Sequence, residues 1–121
     1  MTDLVALRSS DPGTQKHVDH VIAGRPWNRV FLISPTTPAA QGPFDHLLPH
    51  VEVVPIDFSQ PIQAVIDTIA QALKSKISGT EIGLNLISGN GKEHMAVLSA
   101  VLKCGVGFRL IALTKEGVVE V

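Results

Sequence analysis

Two short polar segments contain residues whose types and spacing suit the binding of an anion. The first is Ser88-Gly89-Asn90-Gly91-Lys92, which follows an apolar stretch and precedes a helical pattern. Its glycines allow the backbone to approach a ligand closely, and the start of a helix offers backbone N–H groups. Lys92 adds a positive charge and Ser88 a hydroxyl donor. The spacing is too short for the phosphate-binding P-loop motif. The alternative to an anion site is a tight turn between a strand and a helix, with a solvated lysine.

The second segment is Ser9-Ser10-Asp11, which lies beside Arg8 after another apolar run. It offers two hydroxyls and a carboxylate, although serine and aspartate are also ordinary turn formers. His94 lies two residues after Lys92, in the first turn of the expected helix. It is the nearby side chain whose ordinary pKa suits proton transfer at neutral pH.

The remaining reactive residue types favour structural roles. His17 and His20 have i, i+3 spacing that could hold a metal, but no third ligand is apparent, so we expect a solvated helix face and no metal site. The single cysteine, Cys104, excludes an intramolecular disulfide and a cysteine-based zinc site, and we expect it to be a small buried hydrophobe. Trp27 is expected to anchor packing. We predict no cofactor.

Composition narrows the class of protein. The 121 residues fit a single domain, 1–121, and 45% of them are hydrophobic, which is enough to bury a core. The net charge of −1 argues against a protein that binds duplex DNA, which needs clustered positive charge. No signal peptide or membrane-spanning run is apparent. By elimination we expect a cytoplasmic protein with no membrane partner.

The apolar runs predict six strands that alternate with helices. The strands are expected at Leu4–Arg8, Val30–Ile33, Val51–Ile56, Ile82–Ile87, Phe108–Leu113 and Val118–Val121. Helical spacing predicts a helix from an N-cap at Thr14 to Gly24, a second one marked by apolar residues from Ile62 to Leu73 and ended by Gly79, and a third over the stretch before Gly105. Four prolines make 35–50 a loop, with one helical turn near Phe44–Leu48.

This alternation indicates an α/β, Rossmann-like open sheet that is mainly parallel. The expected strand order is 3-2-1-4-5, with the C-terminal sixth strand antiparallel at the edge. Ligands of such sheets bind outside the carboxyl ends of the strands, where the strand order reverses. Here that point lies between the first and fourth strands, whose exits are Ser9–Gly13 and Ser88–Lys92. The sequence therefore predicts that the two polar segments form one site.

The segment from Leu84 to Ala96, with the apolar helix and strand hairpin that follow, resembles the CRISPR-associated Rossmann fold (CARF) domains. Those domains have an Asn-x-Thr-Gly-Gly-Thr-Lys-like signature after the fourth strand. Ser88, Gly89 and Lys92 match its Thr-Gly-…-Lys positions, and Ser9 or Ser10 matches the family's first-loop hydroxyl. The resemblance spans nearly the whole chain, and its specific part is the loop Ser88–Lys92.

The resemblance implies a homodimer that binds a cyclic oligoadenylate across its two-fold axis. Some CARF domains are ring nucleases that cleave this second messenger without a metal and so end type III CRISPR signalling. On that basis Lys92, Ser10 and His94 are the candidate catalytic residues. The candidate ligand-binding residues are Ser9, Ser10, Asp11, Ser88, Gly89, Asn90, Gly91 and Lys92. The alternatives are a sensor that binds the ring without cleaving it, and a Rossmann-like domain that binds another nucleotide.

Overall fold

A computed structural model describes residues 2–40 and 49–121. It contains six strands: β1 (Asp3–Leu7), β2 (Val30–Pro35), β3 (Val51–Ile56), β4 (Glu81–Asn85), β5 (Gly107–Thr114) and β6 (Gly117–Glu120). Its described helices are α1 (Pro12–Ala23), α2 (Ile62–Lys74) and α3 (Gly91–Lys103). Within these residues, no helix combines the length and the apolar character that a membrane crossing requires.

The strands form one sheet in the order β3-β2-β1-β4-β5-β6. The first five are parallel, and β6 pairs antiparallel with β5 through a tight hairpin. This confirms the predicted α/β fold, including the strand order and the antiparallel edge. β1 lies between β2 and β4, so the chain adds β2 and β3 on one side of β1 and then β4, β5 and β6 on the other. The strand order therefore reverses at β1. The carboxyl ends of β1 and β4 therefore lie side by side.

Helices cover both faces of the sheet, so the central strand is buried on each side. Val5 and Leu7 of β1 face the layer formed by α2 and α3, whereas Leu4 and Ala6 face α1. All four are fully buried. Parallel strands with both faces covered are uniformly apolar, which explains why β1 and β2 read as continuous apolar runs.

Trp27 is the packing anchor that the sequence predicts. Its ring is 6% exposed, and its Nε1–H donates to the carbonyl oxygen of Val21 at 2.9 Å. A Cβ atom at Gly83 would lie 2.9 Å from the ring, so β4 needs a residue without a side chain there. The tryptophan thus fixes the distance between α1 and the sheet.

Several strand ends differ from the prediction by one or two residues, and α2 ends at Lys74, well before Gly79. Two further differences have clear local reasons. The N-cap of α1 is Asp11 and not Thr14, because the Asp11 carboxylate accepts the backbone N–H of Thr14 at 2.8 Å. Strand β4 ends at Asn85 and not at Ile87, because the Ile87 N–H bonds to the Asn85 side chain at 3.4 Å. The helical turn predicted near Phe44–Leu48 lies outside the described residues.

Candidate functional site

The two predicted loops converge on a cleft at the carboxyl edge of the sheet. The cleft has a volume of about 200 Å³ and is lined by Ser9, Ser10, Asp11, Gly89, Asn90 and Glu93. The first three residues follow β1, and the others belong to the turn after β4 and the start of α3. The structure therefore brings five of the predicted site residues together at one cleft, along with Glu93, which the sequence patterns did not single out.

Ser88 joins the two loops from beneath the cleft. It is fully buried, and its Oγ accepts the backbone N–H of Ser9 at 2.9 Å. The Thr14 hydroxyl donates to the same oxygen at 3.0 Å. The Gln15 amide adds a further bond, at 2.5 Å, to the carbonyl oxygen of Ser9. In this arrangement Ser88 does not line the cleft, and its role is to hold the first loop against the second.

Gly89 turns the chain over the end of β1. Its φ of +105° lies in the region that side chains rarely adopt. A Cβ atom there would lie 2.5 Å from Leu7 Cδ2 and 2.8 Å from Glu93 Oε1. Both the backbone conformation and the space therefore require glycine at this position.

A capping box begins α3 at the edge of the cleft. The Asn90 side chain accepts the Glu93 N–H at 2.9 Å, and the Glu93 carboxylate accepts the Asn90 N–H at 2.9 Å. Glu93 is only 6% exposed, and it also accepts the Ser9 hydroxyl at 3.2 Å. The signal was present in the sequence, because Asn-x-x-Glu before an apolar helix is a capping-box pattern. One carboxylate thus ties α3 to both loops.

Lys92 lies at the rim of the cleft and does not line it. Its side chain is exposed, and the ammonium group donates to the carbonyl oxygen of Gln60 at 2.8 Å, before the start of α2. The pKa of the neighbouring Asp57 is lowered, chiefly by side-chain hydrogen bonds from Ser59 and Gln60 and least by Lys92. Gly91 faces open space, since a Cβ atom added there would meet no atom within 4 Å.

His94 lies against the backbone of the second loop and does not line the cleft. The ring is half-buried, and its Nε2 lies 2.8 Å from the carbonyl oxygen of Ser88. A carbonyl oxygen can only accept, so Nε2 carries the hydrogen and Nδ1 is the atom able to accept a proton. Arg8, beside the first loop, is 6% exposed, forms an ion pair with Asp19 at 3.0 Å and does not line the cleft.

His17 is not on a solvated face, which corrects the sequence prediction. Its Nε2 accepts hydrogen bonds from the Asn85 amide and from the backbone N–H of Leu113, each at 3.3 Å. The same amide donates to the carbonyl oxygen of Ile111 at 2.7 Å. Burial, and to a smaller degree the nearby His20, lowers the pKa of His17. The neutral imidazole therefore links α1 to the ends of β4 and β5, whereas His20 is exposed.

No cluster of three or more histidine, cysteine or acidic side chains suited to a metal occurs within residues 2–40 and 49–121. Cys104 is half-buried at the end of α3 and not fully buried as predicted, and burial raises the pKa of its thiol. A thiol in this state is a weak nucleophile.

Comparison with models of known protein families found no match to this chain, and comparison with curated proteins found none either. Its function must therefore be inferred from the fold and from the geometry of the cleft.

Proposed function

We propose that this chain binds a cyclic oligoadenylate across the two-fold axis of a homodimer. The observation that carries the proposal is the convergence of Ser9–Asp11 with Gly89–Glu93 on one cleft at the switch point of a parallel sheet. Ligands of such sheets bind at this position. A cyclic adenylate is the favoured ligand because Ser88–Lys92 resembles the CARF signature at the same place in the fold.

The rim of the cleft suits the phosphates of such a ligand. Gly91 and Lys92 are the first two residues of α3, so their backbone N–H groups have no carbonyl partner within the helix. The positive end of the helix dipole favours an anion there. Lys92 is exposed, and a phosphate oxygen could replace Gln60 as the acceptor of its ammonium group.

The size of the cleft supports a site shared by two chains. Sites for small molecules have volumes of about 300–1,000 Å³, and this cleft has about 200 Å³. Two copies placed face to face would double that volume and repeat each contact. A ring of identical nucleotides has the matching symmetry.

An exposed apolar surface supports the homodimer. Met95 and Leu102 lie two turns apart on α3 and are 63% and 58% exposed. Leu110 and Val121 are neighbours at the sheet edge, since the Val121 N–H bonds to the Leu110 carbonyl oxygen, and they are 46% and 70% exposed. Leu110 faces the same side of the sheet as Phe108, which packs under the helices. Large exposed apolar side chains of this kind are candidates for an interface with a second copy of the chain.

The second part of the proposal is that the protein cleaves the ring. A ribose 2′-OH would attack its own 3′-phosphate, the bond from phosphorus to the 5′-oxygen would break, and the 2′-OH proton would pass to that oxygen. Ser10 is exposed at the cleft, where its hydroxyl could orient the 2′-OH, and Lys92 could stabilise charge on the phosphate. His94 could transfer the proton through Nδ1. If these steps do not occur, the protein would bind the ring without cleaving it and would act as a sensor.

Binding is tested by calorimetry with cyclic tetra-adenylate and, separately, cyclic hexa-adenylate. We expect one of them to bind the wild-type protein, and Lys92→Ala to weaken that affinity about tenfold to a hundredfold, as expected for a charge-assisted contact. The control is Lys103→Ala, which removes the same charge at the other end of α3 and leaves an exposed partner, Asp67, 3.8 Å away. Equal affinities of the Lys92→Ala and Lys103→Ala proteins would contradict the placement of the phosphates.

Cleavage is tested by incubating each ring with excess protein and EDTA and separating the products by chromatography. Linear products that end in a 2′,3′-cyclic phosphate, and that are absent with Lys92→Ala, would support the enzyme. If the protein binds the ring but the ring is still intact after hours, the cleavage proposal is contradicted and the sensor is the remaining interpretation. In either case we propose that the protein acts in the cytoplasm, on the second messenger of type III CRISPR defence.

A further inference from the structure

Glu93 makes the interior of the cleft a region of hydrogen-bond acceptors. Glu93, Asp11 and Ser9 all line this space and carry acceptor oxygens, beside the Ser10 hydroxyl and the Asn90 amide. The Ser9 hydroxyl has already given its hydrogen to Glu93, and the Asn90 N–H is bonded to Glu93 as well. Among the described residues no lysine or arginine lines the cleft, because Lys92 reaches Gln60 and Arg8 pairs with Asp19. A phosphate placed here would face two carboxylates.

Glu93 retains capacity for a further donor. A carboxylate offers about four lone-pair positions. Oε1 accepts from Asn90 and Ser9, whereas Oε2 has only a long contact of 3.5 Å, to the same Ser9 hydroxyl. No basic nitrogen of the described residues lies within ion-pair distance of Glu93. A buried acceptor with spare capacity at the wall of a cleft is suited to a ligand that donates.

We infer, on the basis of the proposed function, that Glu93 is a specificity-determining residue that accepts a hydrogen bond from a nucleotide's donor group. The phosphates then lie at Gly91 and Lys92, outside the cleft, while a ribose 2′-OH or an adenine 6-amino group enters it. Through Ser9, the same carboxylate fixes the first loop at the correct distance from the second. Glu93 thus divides the site into a part that holds anions and a part that holds donors.

The variant that tests this role is Glu93→Gln. Glutamine serves equally well at the third position of a capping box, so α3 keeps its cap and the protein should fold, which circular dichroism verifies. The substitution replaces one acceptor oxygen with an NH₂ group, which a ligand donor cannot bond. Glu116→Gln, in the β5–β6 turn and outside the cleft, is the matched control.

The affinities of three rings are measured: the cyclic adenylate, its 2′-deoxy analogue and its inosine analogue, which lacks the amino group. With the wild-type and Glu116→Gln proteins, we expect one analogue to bind about tenfold to a hundredfold more weakly than the parent. With Glu93→Gln, we expect the parent and that analogue to bind equally. The analogue that loses affinity identifies the donor. The inference is overturned if both analogues bind the wild type as tightly as the parent, or if Glu93→Gln keeps the difference.

If no cyclic adenylate binds, the proposed function fails, and the inference is tested separately with adenosine and inorganic phosphate. Nuclear magnetic resonance then follows the backbone amides of Asn90 and Glu93. We expect millimolar adenosine to shift these signals in the wild type and not in Glu93→Gln, whereas any shifts caused by phosphate at Gly91 and Lys92 should be the same in both proteins. The inference is overturned if adenosine causes no shift in the wild type, or if its shifts survive Glu93→Gln.

Discussion

Replacing Gly89 by alanine should destabilise the protein more than any other single-methyl addition in the second loop. At φ +105° an alanine is strained by about 1–3 kcal/mol. Its Cβ would also lie 2.5 Å from Leu7 Cδ2, a fully buried atom that cannot move freely, and such overpacking costs about 1–3 kcal/mol. The two effects together give a loss of about 2–6 kcal/mol.

The matched control lies two residues away. Gly91→Ala adds the same methyl group, but no atom lies within 4 Å of it and the backbone φ is not positive. Alanine there restricts the unfolded chain, so this variant should be unchanged or more stable by about 0.4–1 kcal/mol.

Urea unfolding of the two variants at one protein concentration makes the comparison. With a slope of about 2 kcal/mol per molar, the Gly89→Ala midpoint should fall by about 1–3 M, while the Gly91→Ala midpoint should not fall. Because the new methyl also presses on Glu93 Oε1, 2.8 Å away, Gly89→Ala should weaken ligand binding in the protein that remains folded. Equal midpoints for the two variants would refute this description of the loop.

Three further predictions concern the helices and the sheet edge. Because the pKa of folded His17 is below its ordinary 6.5, the unfolded chain takes up this proton first. The contribution of His17 to the free energy of unfolding should therefore be complete above pH 6.5 and be lost as the pH decreases through the folded-state pKa. Urea titrations at several pH values should show a smaller loss in His17→Gln and an unchanged loss in His20→Gln. Asn90→Ala should cost about 0.5–2 kcal/mol of unfolding free energy by removing the cap of α3, and Asn90→Ser should recover most of it. Leu110→Asp places a charge among the exposed apolar side chains of the proposed interface, so light scattering at micromolar concentration should give the mass of a monomer for this variant and of a dimer for the wild type.

The sheet could be predicted because the local patterns and the general rules of parallel sheets agree. Apolar runs separated by helical spacing specify strands joined by crossovers, and handedness leaves few possible orders. Those same rules placed Ser9–Asp11 beside Gly89 and Asn90, although the residues are far apart in the chain. The position of the cleft therefore follows from topology, without knowledge of any side-chain contact.

The side chains of the site could not be predicted in this way. The capping-box pattern indicates that Glu93 bonds to Asn90, but it does not indicate that Glu93 is buried. The burial of Ser88 and Glu93 arises because β1 and β4 are adjacent. Lys92 is at the expected position, but the proximity of the Gln60 carbonyl oxygen decides where its charge lies. β5 extends past the end of β4, so the Leu113 N–H has no carbonyl partner on β4. This N–H donates to the His17 ring instead, which makes His17 an acceptor. Each of these outcomes depends on contacts between distant segments.

The stoichiometry of ring binding tests the central proposal most directly. Calorimetry with the cyclic oligoadenylate, run together with light scattering on the same sample, gives both the number of rings per chain and the mass of the complex. We expect one ring for every two chains and the mass of a dimer, because in the proposed complex each chain contributes half of the site. One ring bound to each monomeric chain, or no binding of either ring size, would contradict it.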